Sequence, residues 1–298
     1  TPEALLPMDD AVASAPKSSD AARRFARAVL TAGCEAFPSD ERIARALLAT
    51  ADERTSVRKL ARPLLKRSPE ALSLWCVYAE AEADCGNAAE AQRVSMSALT
   101  LCAPPKGHAS PMELLPLGHA AARRELEATG LAAGEAPAVT RALCFLVCAF
   151  VPEAGVADTP TRPQVLMARR GFEREAQNWL PPSARPPTCP QAPSGHGQEG
   201  GADLNSARVT LLCAFALFEE LESGILAALN VHEVAQAALM RESEDRWLLR
   251  GAGSRGHEQL IEHWHSLLAR HADQRRPPAG RERALYQASL AHFPANGP

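Results

Sequence analysis

Ser73–Leu101, SLWCVYAEAEADCGNAAEAQRVSMSALTL, is the stretch whose reading decides the fold. Trp75, Tyr78, Ala79 and Glu82 fall at i, i+3, i+4 and i+7, which places them on one face of an α-helix. Gly86-Asn87 then interrupts the helix with two residues that tolerate left-handed dihedrals. A second helical face follows in Ala91, Val94, Ala98 and Leu101. Small Ala91 and Ala98 allow close approach, while Trp75 and Tyr78 supply the bulk that fills the groove. Such a helix-turn-helix unit cannot bury its apolar face alone and must stack on others. The expected fold is therefore all-α, a right-handed superhelical stack of antiparallel helix pairs.

Composition agrees with helix. Of 298 residues 46% are apolar, enough for a core, yet only 5% are aromatic. Ala and Leu dominate, whereas strands draw on Val, Ile, Thr, Tyr and Phe. A net charge of −3 gives no global attraction to nucleic acid. The longest apolar run, Ala142–Val151, is a core-helix length and falls short of the roughly 18 residues of a membrane span. Eight cysteines (Cys34, Cys76, Cys85, Cys102, Cys144, Cys148, Cys189 and Cys213) lie scattered, without a CxxC pair. That pattern reads as reduced thiols in an intracellular protein, not a disulfide scaffold.

Along the chain, residues 1–19 read as a flexible segment and 20–180 as helical repeats. Phe25, Val29 and Leu30 form a first helical face, ended at Phe37-Pro38-Ser39-Asp40. Ser39 or Asp40 can cap the next helix, with Ile43, Leu47 and Leu48. Further helices are expected over Thr55–Lys66, Met112–Thr129 (with Pro116 in its first turn) and Ala136–Phe150. Pro163 opens another, with Val165, Ala168, Phe172, Ala176 and Trp179 on one face. Residues 181–203 are rich in Pro and Gly and read as a disordered insertion. Repeats resume over 204–294, the last one incomplete. A hairpin around Gly224 sets Leu211, Leu212, Phe215 and Phe218 against Val231, Val234, Ala235 and Ala238. Glu242–Gly256 reads as irregular, then Leu260, Ile261, Trp264, Leu267 and Leu268 mark a helix, and Arg281–Leu290 a last one. No signal peptide is visible at Thr1, and Phe293-Pro294-Ala295-Asn296 would introduce one more helix. The sequence thus reads as a piece of a longer protein.

A degenerate box recurs on the second helix of each pair. It stands as Ala91-x-Arg93-Val94 with Ala98-Leu99, as Ala168-Arg169-x-x-Phe172-Glu173-Arg174-x-Ala176, and as Arg283-Ala284-x-Tyr286-x-Ala288-x-Leu290. With Leu74-Trp75-x-x-Tyr78-x-x-x-Glu82 it resembles the half-a-tetratricopeptide (HAT) repeats of RNA-processing scaffolds. Two clusters sharpen the resemblance, to the nuclear RNAi-defective family of nuclear exosome regulators. The first is Leu72-Ser73-Leu74-Trp75 with Tyr78-Ala79, Gly86-Asn87 and Ala91-x-Arg93-Val94. The second is Leu212-Cys213-Ala214-Phe215-Ala216-Leu217-Phe218 with Gly224-Ile225-x-Ala227-Ala228. The likeness runs from about Phe37 to Pro294, and order and spacing carry it more than any single motif. Ser95 departs from it, standing where the repeat usually has an aromatic.

The resemblance implies a TPR-like α-solenoid in the nucleus that regulates RNA surveillance without catalysis. Its partners would be the exosome-associated RNA helicase and splicing-linked factors, with RNA contacted at most indirectly and no cofactor or small-molecule substrate. In that family the helicase-gripping segment precedes the repeats, and this chain shows no counterpart. The repeat core would comprise Trp75, Tyr78, Ala91, Val94, Ala98, Phe172, Phe215, Phe218 and Trp264.

Chemistry-bearing patterns are few. His257, Glu258, Glu262, His263, His265 and His271 resemble a metal-ligand cluster, but HExxH is absent and the same turns carry the apolar Ile261, Trp264 and Leu268. A solvated polar face is the simpler reading. Cys144 and Cys148 share a face without a histidine partner and read as core thiols. GxGxxG, GxxxxGK[ST] and GxSxG do not occur. The arginine pairs at 23–24, 123–124, 169–170 and 275–276 lie among acidic residues on amphipathic helices or in loops. Trp247, with charged flanks in an irregular segment, is the candidate partner contact. Three readings follow: a protein-binding scaffold, which is preferred; an RNA-binding repeat protein, which would need a continuous basic stripe; and an all-α enzyme, which would need a pocket of convergent polar groups.

Overall fold

The computed structural model describes residues 20–37, 40–51, 54–103, 107–128, 136–152, 159–179, 201–245, 252–271 and 283. Among the described residues the secondary structure is entirely helical, without a strand. The chain divides into two compact units, 1–94 and 95–298, the division falling inside one helix.

The first unit holds α1 (Asp20–Ala36), α2 (Glu41–Ala49), α3 (Arg54–Arg67), α4 (Leu72–Asp84) and the start of α5 (Ala88–Cys102). Asp40 caps α2, its carboxylate accepting from the Arg42 N–H at 2.9 Å. Gly86 takes the left-handed conformation (φ 74°) that closes α4 and turns the chain into α5. The core joins Leu47 and Leu48 of α2, Val57, Ala61, Leu64 and Leu65 of α3, Leu74, Tyr78 and Ala79 of α4, and Val94 of α5.

A charged residue belongs to that core. Glu82, placed by its spacing on the apolar face of α4, is fully buried. Its Oε2 accepts from Asn87 Nδ2 at 2.7 Å, and its Oε1 lies 3.5 Å from Arg58 Nε. Arg58 also reaches Glu90 at 3.1 Å, so α3, α4 and α5 meet on one ion-pair network. Burial, with the charges of Glu82 and Glu90 and a hydrogen bond to Glu82, pushes the Tyr78 phenol up to about 12. Trp75, expected to fill the groove, is instead half-buried, its indole N–H donating to Pro69 O at 2.8 Å.

The expected face of α1 is reversed. Phe25 and Val29 are 72% and 53% exposed, and the helix packs through Leu30 and Cys34. At about 100° per residue, Phe25 and Val29 lie roughly 100–140° round the helix from Leu30, so the three cannot share one contact.

The second unit continues α5 and adds α6 (Pro111–Ala128), α7 (Ala136–Phe150), α8 (Arg162–Trp179), α9 (Gly201–Ser223), α10 (Ile225–Asp245) and α11 (Ala252–His271). Reciprocal capping starts α6: Glu113 Oε2 accepts from Ser110 N at 2.7 Å, and Ser110 Oγ accepts from Glu113 N at 3.4 Å. Pro111 is the first helical residue, so Pro116 sits in the second turn and not the first. Gly224 (φ 93°) makes the α9–α10 turn. Phe172 of α8 is buried at the centre of an aromatic group, with ring centroids 4.4 Å from Phe150, 5.4 Å from Phe215 and 5.1 Å from Phe218. Ser95 is buried and accepts from Arg124 at 3.3 Å, which accounts for a small hydroxyl where an aromatic was expected.

Helix α9 begins at Gly201, inside the expected insertion, and α10 runs on to Asp245. No Gly or Pro separates Gly224 from Gly251, so nothing terminates α10 at Glu242. Likewise α11 starts at Ala252, and the expected irregular segment is helical over 242–245 and 252–256. Leu101 and Val234, assigned to buried faces, are 47% and 49% exposed; the neighbouring Cys102 and Ala235 are buried instead. Residues 1–19, 181–200 and the expected last helix, apart from helical Arg283, lie outside the described residues.

Substitution of Glu82 by Ala removes the acceptor of Asn87 and the partner of Arg58 together. The expected cost is about 1.5–3 kcal/mol to the first unit, as for hydrogen bonds to charged groups. Urea denaturation should show it, whereas Phe25→Ser should stay within about 0.5 kcal/mol of the parent.

Candidate functional site

In the second unit α6 packs on α7 and also on α9, three helices later, while α9 meets both α10 and α11. Nearest-neighbour stacking alone does not bring α6 to α9. The close approach of α6 to α7 runs through Gly118, where a Cβ would come 2.8 Å from the Phe145 carbonyl oxygen. The next residue, His119, and Arg123 one turn on line a cavity with Val209, Thr210 and Cys213 of α9. Gln259, Glu262, His263, His265 and Ser266 of α11 complete its lining, and its volume is about 630 Å³.

Behind this cavity lies a cluster of imidazoles from three helices. On α10, His232 shares the buried face of Ala228 and Ala235. On α11, His263 shares that of Leu260, Trp264 and Leu267. His263 Nδ1 and His232 Nε2 are 3.1 Å apart, and the His119 and His263 ring centroids 5.5 Å. His232 also stacks on Trp264, with centroids 5.7 Å apart and planes within 7°.

The shared proton fixes the rest of the pair's hydrogen bonding. If His232 Nε2 donates, neutral His263 carries its own proton on Nε2; if His263 Nδ1 donates, that Nε2 is a bare acceptor. Either way His263 Nε2 and His232 Nδ1 have no protein partner, and neither has His119 Nε2. Burial is the main cause that lowers His119 to about 3, with Arg123 and Arg270 adding to it. Burial likewise lowers His232 to about 3, Glu220 opposing and Arg270 assisting. His263 is held well below the ordinary imidazole value by burial, then by His119, His232, Arg270 and Arg123.

The nearest buried carboxylate is committed elsewhere. Glu220 accepts from Arg270 Nε at 3.0 Å and Nη2 at 2.5 Å, and lies 2.9 Å from His271 Nε2. Burial works to raise its pKa, yet the bonds and charges of His271 and Arg270 hold it below the usual carboxylate range. The adjacent Glu219 is held by Arg169 through two bonds of 2.8 and 3.1 Å.

The sequence candidates separate. Of the α11 group, His263 turns inward, Glu262 is exposed, His265 is half-buried, and His271 joins Glu220. His257 and Glu258 lie outside the residues whose side chains are described, and Trp247 lies outside the described residues altogether. Among the described residues no three His, Cys, Asp or Glu side chains converge to hold a metal ion. Cys144 and Cys148 are buried, and burial, with Cys144 alongside, pushes the Cys148 thiol up to about 12, which makes it inert. Of the expected repeat core, Tyr78, Ala91, Val94, Ala98, Phe172, Phe218 and Trp264 are buried, while Trp75 and Phe215 are half-buried. His119 and His232 were not legible as site residues, because each stands alone in its helix with no partner at fixed spacing.

No family model, curated protein or solved structure matches this chain.

The cluster makes the second unit sensitive to acid. The folded pKa of His232 lies below its unfolded value of about 6.5, so the unfolded chain binds more protons between pH 6.5 and 3. Stability is complete above that range and falls as pH drops through it. His232 alone should cost about 2 kcal/mol at pH 5. Urea denaturation at pH 7.5 and pH 5.0 should show the difference, and His232→Asn should shrink it.

Proposed function

We propose that this chain is a helical-repeat scaffold for protein partners in nuclear RNA surveillance. It would act on the RNA exosome and its helicase, with links to splicing or RNA interference, and without catalysis of its own. The observation that carries the reading is the α4–α5 hairpin. The residues on which the resemblance to the nuclear RNAi-defective family rests lie on two consecutive helices joined by a tight turn. Gly86 makes the left-handed turn, and Tyr78, Ala79, Ala91 and Val94 are buried. The α9–α10 hairpin repeats the plan with Gly224 at its turn and Leu212, Phe218 and Ala228 buried. In this reading the helix pairs continue as a right-handed superhelix whose curved surface holds partners at fixed separation.

Direct RNA binding draws less support. Arg169 is gripped by Glu219 at 2.8 Å, so this member of the arginine pairs is balanced by a carboxylate. No helix among the described residues is long and apolar enough to cross a membrane.

Affinity purification of the chain from nuclear extract, with and without nuclease, tests the reading by mass spectrometry. Exosome helicase or splicing factors should survive nuclease. Loss of every partner with nuclease would instead favour RNA as the bridge. Recovery of no specific partner in either sample would sink the scaffold reading for this chain.

A further inference from the structure

The cavity between α6, α9 and α11 is not a packing defect. Voids left by imperfect packing are lined by apolar side chains and stay dry, whereas eight of the ten residues here, all but Val209 and Cys213, carry a polar side chain. Its volume, about 630 Å³, lies within the roughly 300–1,000 Å³ of small-molecule sites. Two lining residues, His119 and His263, present buried Nε2 atoms that no protein group satisfies. His263 is itself only 6% exposed, and a buried polar atom of this kind ordinarily has a hydrogen-bond partner.

The charges around the cavity indicate what that partner is. From α6 comes Arg123, whose guanidinium spends one nitrogen on Glu127 and carries further N–H donors in its fork. From α11, Arg270 stands close enough to act on His119, His232 and His263. Cys213 of α9 also feels Arg123. Glu220 of α9 raises His232, but Arg270 and His271 occupy it. Glu262 is exposed at the lining. Arg270 and Glu220 offset one another, so Arg123 is the cation that the lining itself supplies. In the tautomer whose shared proton sits on His232 Nε2, neutral His263 carries an N–H at its own Nε2.

We infer that this cavity binds a small-molecule oxyanion, a carboxylate or a phosphate, between Arg123 and the Nε2 atoms of His119 and His263. Charge-assisted bonds from the guanidinium would fix the anion, and the two imidazoles would supply neutral donors at the buried end. The site is independent of the scaffold reading. It uses no repeat-turn residue and stands or falls on its own measurement.

The test uses the full chain at pH 7.0 with three probes: inorganic phosphate, adenosine monophosphate and citrate. Calorimetric titration should give saturable binding of at least one probe, and preference among the three separates phosphate from carboxylate. Arg123→Gln should weaken that binding by roughly tenfold or more, while Arg174→Gln, an exposed change on α8, should leave it unchanged. On the unmodified chain, ¹⁵N imidazole spectra should show the Nε2 signals of His119 and His263 moving with saturation. This readout holds even if Arg123→Gln does not fold. Absence of binding by all three probes would overturn the inference. So would binding that leaves both imidazoles unmoved, or that a folded Arg123→Gln retains at full strength.

Discussion

The carboxylate of Glu82 is buried with no exposed surface, and the geometry of the first unit depends on how it is satisfied. A lone carboxylate in such a place would neutralise or drag water inward. Instead Asn87 Nδ2 reaches it across the α4–α5 turn at 2.7 Å, and Arg58 approaches from α3. Asn87 therefore has two duties. Its place after Gly86 continues the turn, and its amide ties that turn to the helix it ends. Three helices are held in register by one charge, a more specific constraint than the surrounding Leu and Ala contacts, which would tolerate a slide.

The second unit repeats this device with a different chemistry. Glu219 and Glu220 are both buried at the end of α9, and each draws an arginine from another helix, Arg169 of α8 and Arg270 of α11. Arg169 also lies over the Phe218 ring at 5.8 Å, so the ion pair and the aromatic group of Phe150, Phe172 and Phe215 share one side of α9. The opposite requirement holds at His119, His232 and His263. There Glu220 is engaged by Arg270 and His271, and burial of the rings holds the imidazoles neutral. Carboxylates that are ion-paired and imidazoles that each keep one ring nitrogen without a protein partner occupy parts of the same unit. That contrast separates a structural polar network from one still open to a ligand.

Helix positions and the two Gly turns were legible in the sequence, because period and punctuation are local signals. The spacing of Trp75, Tyr78, Ala79 and Glu82 identified the inner face of α4, including its acidic member, and Gly86 and Gly224 marked both hairpins. Faces were harder to assign. Phe25, Val29, Leu101 and Val234 are apolar and periodic, yet exposed, because which stripe is buried depends on the neighbouring helix and not on the helix itself. Trp75 shows the same limit at closer range: its indole finds Pro69 O at the edge of the core, a contact outside its own helical period.

The histidine site was illegible for a stronger reason. His263 was visible only among five other residues that suggested a metal. The residues that meet His263 are 144 and 31 positions earlier in the chain, and α6 comes near α11 only because it packs on α9. A nearest-neighbour repeat stack would keep these helices apart. The contact that departs from simple stacking is the one that assembles the polar cavity. A local departure of this kind is where an added property can arise without disturbing the Gly turns of the two hairpins.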